Sequence, residues 1–349
     1  MKKSYSKHII VGAGLSGLTT AYQLLLNGED DFIILEGRNQ IGGRIDTKDG
    51  IDLGATWFQD HHKNFLELIQ ALNVQKFDQY SKGKSVLVYN TMAPAHYFEN
   101  DSNSPSANRI AGGTIAIVKK LSSFLQKKIH LNSIVIGIEE KDDIIIVKTE
   151  KENYISKKVV IAMPPKIANC IQYSPELPKE LVQTLSQTHT WMSNAIKVGI
   201  TFKNPFWRDK KMSGTIIGQV GPVIELYDHC DSNDNTYSLM GFVNEGLREE
   251  TKDNRKERIL SYLEKYLGHE IRDYINYYEK DWSQDPFTSC ENLKSIYMSP
   301  QYGNSLFNNF YMNNKLLFSG TETSPVYGGY LEGAVYSGKN AATQLLLPK

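Results

Sequence analysis

A chain of 349 residues, 40% of them hydrophobic, can bury a substantial core, and its length suggests two domains rather than one. Lysine plus arginine and aspartate plus glutamate number 39 each, so no bulk field draws the chain to nucleic acid or an anionic membrane. No apolar run approaches the roughly 18 residues that a membrane span needs.

Along the chain, His8 to Val11 is a short apolar run that leads into the glycine turn Gly12 to Gly17. Leu18, Ala21, Tyr22 and Leu25 follow at helical spacing up to Asn27-Gly28, and Phe32 to Leu35 returns as a second strand. Asn90 to Asn108, rich in asparagine, serine and proline, reads as a loop that marks a crossing between domains. Thr114 to Leu125 has helical spacing, Ile134 to Glu139 and Ile144 to Thr149 form a hairpin pattern, and Val159 to Ala162 is a buried strand stopped by Pro164-Pro165. Ile196 to Phe202, Val223 to Tyr227 and Tyr237 to Val243 have the composition of an antiparallel sheet. Leu316 to Phe318 is a last strand, and Leu331, Ala334, Val335, Gly338, Ala341, Ala342 and Leu345 line one face of a final helix. The cysteines, Cys170, Cys230 and Cys290, make neither a metal-ligand spacing nor an even disulfide set, which suggests a reducing, cytoplasmic setting.

Three motifs carry chemistry. In Gly12-Ala13-Gly14-Leu15-Ser16-Gly17, small residues allow a tight turn and bring a helix amino end to a pyrophosphate. Glu36, at the end of the second strand, is placed to accept hydrogen bonds from ribose hydroxyls. Glu36-Gly37-Arg38, then Gly42-Gly43-Arg44 and Gly54-Ala55-Thr56-Trp57, offer a second close backbone approach, with Arg38 and Arg44 as forked donors for pyrophosphate charge. The third motif is Gly320-Thr321-Glu322-Thr323, followed by Gly328-Gly329-Tyr330-Leu331-Glu332-Gly333-Ala334.

Taken together, these stretches resemble the flavin-containing amine oxidase family, and the likeness runs from His8 to Ala342. The resemblance implies an α/β fold: a three-layer, Rossmann-like FAD-binding domain (1–80, 107–186 and 285–349) with an inserted α+β substrate domain on an antiparallel sheet (81–106 and 187–284). It implies FAD, with Glu322 on its ribose or ribityl chain, the helix beginning near Tyr330 and Leu331 aimed at the flavin, and Val135 meeting the adenine. Lys197 sits where the family places a lysine that holds a water against the reactive flavin nitrogen, and Trp282 matches a tryptophan near the flavin. Catalytic roles are thus expected of Lys197, Tyr330 and Trp282. Where some members carry a flavin-linking cysteine and then a tyrosine, this chain has Glu291 and Asn292. FAD is therefore expected to be noncovalent, with Tyr330 as one wall of the amine site and Asn292 in place of the other. The expected reaction is oxidation of an amine C–N bond, with dioxygen yielding hydrogen peroxide and an imine hydrolysed to a carbonyl product. A flavin-dependent C–C desaturase, a porphyrinogen-type oxidase and an inactive flavoprotein binding module are the alternatives.

Overall fold

A computed structural model describes residues 4–90, 92–100, 106–289 and 301–347. Its first sheet has eight strands, in the spatial order Gln172–Ser174, Val135–Lys141, Ile144–Thr149, Asn153–Ala162, Ser4–Val11, Phe32–Leu35, Ile129–His130, with Leu316–Ser319 also paired to Asn153–Ala162. Ser4–Val11 runs parallel to Phe32–Leu35 and Asn153–Ala162, and Leu316–Ser319 is parallel to the latter.

Alternation along these strands builds the layers, since successive strand side chains face opposite ways. Ile10, Ile34, Val160 and Leu317 face a core shared with helices Leu15–Leu26, Lys63–Ala71, Ile115–Leu125 and Leu331–Leu346. Their neighbours Ile9, Ile33, Val159, Ile161 and Phe318 face a second core closed by Ile145, Val147, Leu181 and Leu185. Helices on one face, the sheet, and helix Lys179–Gln187 on the other make the three-layer arrangement that the resemblance implies.

A second sheet of seven strands runs Asn276–Asp281, Ile196–Phe202, Tyr237–Val243, Val223–Asp228, Met212–Gly218, Lys84–Val88, His96–Glu99. Most pairs are antiparallel, but Met212–Gly218 and Lys84–Val88 are parallel, because the latter arrives from the early excursion around residues 81–106. The expected antiparallel sheet is thus mixed. The Asn90 to Asn108 stretch also differs from its loop reading: His96–Glu99 pairs with Lys84–Val88 as an edge strand.

Helix Lys252–Leu267 covers one face of this sheet, through Ile259, Leu260, Leu263 and Leu267. It starts at Thr251, whose side chain accepts from the Asn254 N–H, and stops at Gly268. The opposite face turns toward the first sheet. There Ile51, Leu53 and Met240 form a small core between the two, with Ile51 packed directly on Gly199.

Candidate active site

Strand Ser4–Val11 ends at Gly12, whose φ of +108° and closeness to Ala162 leave no room for a side chain: a Cβ would lie 2.4 Å from the Ala162 carbonyl oxygen. Gly17, one turn into the helix, is equally constrained, since a Cβ would meet the Gly12 carbonyl oxygen at 2.0 Å. Both glycines serve the strand-to-helix turn, which leaves the Leu15–Leu26 helix starting at Gly14 with no side-chain cap. The turn is stitched to the second motif, for the Gly42 N–H donates to the Ala13 carbonyl at 2.9 Å. At Gly14, by contrast, a Cβ would find its nearest protein atom, the Gly43 Cα, 3.9 Å away.

A cavity of about 850 Å³ begins here. Gly12, Gly14, Leu15, Ser16, Glu36, Gly37, Arg38, Gly42, Gly43 and Arg44 line one end, with Val135 and Ile136 beside them. Gly54, Ala55, Thr56, Trp57, Lys197, Gly320, Gly329, Tyr330 and Leu331 line the other parts. Most of the expected contact residues therefore share one cavity.

Glu36 is buried; its Oε2 accepts from the Ala13 N–H at 2.7 Å and its Oε1 from the Arg38 N–H at 2.9 Å. These bonds fix the carboxylate at the strand end, and its remaining lone pairs suit hydroxyl donors. The fit to FAD is thus met by a glycine cradle, an uncapped helix start and an oriented carboxylate.

Both arginines line the cavity and both carry ion pairs. Arg38 donates to Asp285 at 2.7 Å and Thr288 at 3.1 Å and stacks over Phe287, tying the cradle to the segment after the second sheet. Arg44 makes a two-pronged pair with Glu322, at 2.5 and 3.0 Å. Burial opposes the Arg44 charge, and Glu322 more than restores it, so its pKa is raised. Glu322 is fully buried and outside the cavity wall. Glu322 is the counter-ion to Arg44, a carboxylate placed by the buried turn Thr321–Thr323. Ala13 and Gly17 also stand behind the wall.

Lys197 is 1% exposed. Its Nζ donates to the Asp52 and Gly54 carbonyls, both at 2.8 Å, and to the Thr56 hydroxyl at 3.0 Å. Those three acceptors match the three protons of an ammonium. Burial pulls its pKa down to about 7, Asp52 opposing and Arg109 assisting. Trp282, expected near the flavin, instead lies behind the wall with its indole N–H on the Leu53 carbonyl at 2.8 Å. Three successive carbonyls, Asp52, Leu53 and Gly54, thereby accept from side chains of the second sheet and the turn that follows it.

Beneath this stretch lie Asp52, to which the second motif gives no role, and His229 and Arg109, which no motif includes. The buried Asp52 carboxylate, its pKa raised by burial, accepts from Thr47 and from the backbone and side chain of Thr114. His229 Nε2 accepts from the Asp52 N–H at 3.1 Å, and burial together with Arg109 and Lys197 holds it neutral. Arg109 donates to the Cys230 and His229 carbonyls. No motif spacing joins positions so far apart.

Tyr330 is the first residue before helix Leu331–Leu346, and its ring, 58% exposed, has a cavity-side position backed by His62 at 5.8 Å between ring centroids. Glu332, in the same motif, reaches across to accept from the Asn64 and Phe65 N–H groups at the uncapped start of helix Lys63–Ala71. The wall also includes Trp191, Met192, Phe242 and Tyr302. Cys290, Glu291 and Asn292, including the expected substrate contact at Asn292, lie outside the described residues.

No helix among the described residues is long and apolar enough to cross a membrane. The profile of the flavin-containing amine oxidoreductase family matches residues 15–97 and 89–346. Flavin-containing amine oxidase B of Mus musculus is 30% identical over 257 residues, covering 70% of this chain and 48% of that protein; the chain spans about half the length of the mammalian relatives it matches. A redesigned putrescine oxidase superposes with a TM-score of 0.86 at 21% identity over 99% of this chain and 100% of that one. Cyclohexylamine oxidase of Brevibacterium oxydans superposes with a TM-score of 0.85 at 19% identity over 97% and 98%. At such identities these two likenesses speak for the fold, while the profile covers most of the chain: the protein belongs to the flavin-containing amine oxidoreductase family, with FAD as its cofactor.

Proposed function

We propose that the protein oxidises the C–N bond of a small amine and uses dioxygen as the final acceptor. One observation carries this reading: a single cavity joins the dinucleotide cradle at Gly12 to Gly17 to a wall on which Lys197 and Tyr330 meet. When bound, FAD would supply the two-electron oxidation of the C–N bond and the reduction of dioxygen, so that the products are hydrogen peroxide and an imine hydrolysed by water to a carbonyl compound.

The chain supplies position and charge. The uncapped start of the Leu15–Leu26 helix and the Gly42-Gly43 turn hold the pyrophosphate, with Arg44 adding positive charge and Glu36 accepting from ribose hydroxyls. Val135 faces the adenine, and the start of the Leu331–Leu346 helix turns its partial positive charge toward the flavin. Tyr330 forms one wall of the amine site. Lys197 keeps a titrating charge at the cavity wall, where it favours negative charge developing on oxygen. Trp282 acts from behind, through Leu53. The FAD-binding unit is assigned to 1–80, 107–186 and 285–349 and the substrate unit to 81–106 and 187–284, supported by the two separate sheets. FAD is held without a covalent bond, since Glu291 stands where some members of the family carry the flavin-linking cysteine.

The test is to record the visible spectrum of the purified protein and add amines without oxygen. Bleaching of the flavin by an amine, and its return on admitting air with peroxide formed, supports the reading. A yellow protein that no amine bleaches, though dithionite does, overturns it. Acid precipitation should leave the colour in the supernatant; colour in the pellet refutes noncovalent binding.

A further inference from the structure

We propose that the amine accepted here carries one nitrogen on a bulky apolar or aromatic body, and that Trp191 is the residue that selects for it. This rests on the amine-oxidising reading above and names its substrate class.

The wall around Lys197 is assembled from rings. Trp57 meets Tyr227 edge-on at 4.9 Å between centroids and lies 6.4 Å from Phe242. Phe242 in turn receives Trp191 edge-on at 6.0 Å and 71°. The Trp191 N–H donates to the Tyr302 hydroxyl at 3.0 Å, and the Tyr302 ring lies against Gly328 and Gly329, the two residues before Tyr330. The rings thus continue from Trp57 round to Tyr330. Trp57 is anchored by its frame: its indole N–H donates to Gln79 at 2.8 Å, and Gln79 donates to the Asp228 carbonyl.

Trp191 differs from its neighbours in one respect. Met192, Ser193 and Asn194 in the same turn are buried, whereas the Trp191 side chain stands 49% exposed on the cavity wall. A half-exposed indole beside other rings gains most from an occupant that covers it with apolar surface.

The charges on the wall argue the same way. Among the described lining residues Glu36 is the one carboxylate, and it belongs to the dinucleotide end, with both oxygens accepting from backbone. Glu225, near Trp57, is not on the wall and accepts from the Tyr227 hydroxyl at 3.0 Å. Among the described lining residues a second ammonium would therefore find no free counter-ion. Of the lining cations, Arg38 is paired with Asp285 and Arg44 with Glu322, while Lys197 has spent its protons on Asp52, Gly54 and Thr56. A substrate carboxylate would find no unpaired arginine among them.

The experiment uses the FAD-loaded protein and anaerobic stopped-flow bleaching with 2-phenylethylamine, cyclohexylamine, butylamine, putrescine and phenylalanine. The two ring-bearing monoamines are expected to exceed putrescine at least about tenfold in second-order rate, with phenylalanine inert. Trp191→Ala should move the preference between 2-phenylethylamine and butylamine toward butylamine by about tenfold or more, the scale of a truncated aromatic anchor, and Trp191→Phe should recover most of it. A faster reaction with putrescine or phenylalanine overturns the substrate class while leaving amine oxidation standing. An equal loss for both monoamines in Trp191→Ala overturns the role of Trp191. Bleaching by none of the five overturns the amine-oxidising reading itself.

Discussion

At the Gly12 to Gly17 end of the cavity the wall is largely main chain: a glycine turn, an uncapped helix start and a carboxylate held by two backbone N–H groups. At the Tyr330 end it is side chains, drawn from the Gly54 to Trp57 stretch, the Trp191–Asn194 turn, two strands of the second sheet and the segments carrying Tyr302 and Tyr330. The first end tolerates little change in residue size, because main-chain approach leaves no slack. The second can be altered one ring at a time. On the proposed function, the cofactor would meet rigid backbone and the substrate adjustable surface.

The sharpest way to break this comparison is to put a side chain into the main-chain end. Gly12→Val would set a β-branched residue at φ of +108° with its Cβ 2.4 Å from the Ala162 carbonyl. Protein without flavin, or no folded protein, is expected; a yellow protein with native circular dichroism would show that the turn can yield. Next in size is Lys197→Met at the other end. Loss of one such electrostatic group costs on the order of a hundredfold, read as the rate at which the reduced protein is reoxidised by oxygenated buffer. In the parent this rate should fall as pH rises through about 7, since the ammonium is lost there; in Lys197→Met the profile should be flat. A parent-like rate in the variant would return Lys197 to a purely structural role.

Glu36→Ala should weaken FAD binding by about ten- to a hundredfold, the worth of a charged hydrogen bond, in titrations of the apoprotein. Lys197→Ala should weaken it less, and equal affinities would remove Glu36 from the site. The smallest effect on the cavity belongs to His8, buried in the central strand with its pKa lowered to about 4 by burial. The unfolded chain takes up this proton near pH 6.5, before the folded one does. The neutral ring's share of stability is therefore complete above about pH 6.5 and lost as pH falls toward 4, about 3 kcal/mol in all. His8→Gln should flatten denaturant midpoints across that window and leave flavin affinity unchanged.

The legibility of the sequence follows the same division. Gly12, Gly14, Gly17 and Glu36 could be read because one strand, one helix and one strand set their spacing locally. The final helix was equally plain from Leu331 to Leu345, every third or fourth residue being apolar. The ion pairs of Arg38 and Glu322 are not legible in the sequence, since they span 247 and 278 residues. Helix Lys252–Leu267 went unread: its outward face is charged, and among its buried residues is Arg255, paired with Glu279. Trp191, Phe242 and Tyr302 look like ordinary core aromatics until the second sheet folds over the first and makes them a wall.

The capture of the Asp52, Leu53 and Gly54 carbonyls bears on the order in which the molecule is made. Their donors, Lys197 and Trp282, lie 145, 229 and 143 residues further along the chain. During synthesis this stretch emerges early and stays without its final hydrogen-bond partners until nearly the whole second sheet has followed. Non-local pairing of this kind is slow, since the intervening chain must be closed before the contact repays it. The Asp52 to Gly54 backbone is consequently expected to be among the last parts to mature, after the early and late halves of the chain have found one another.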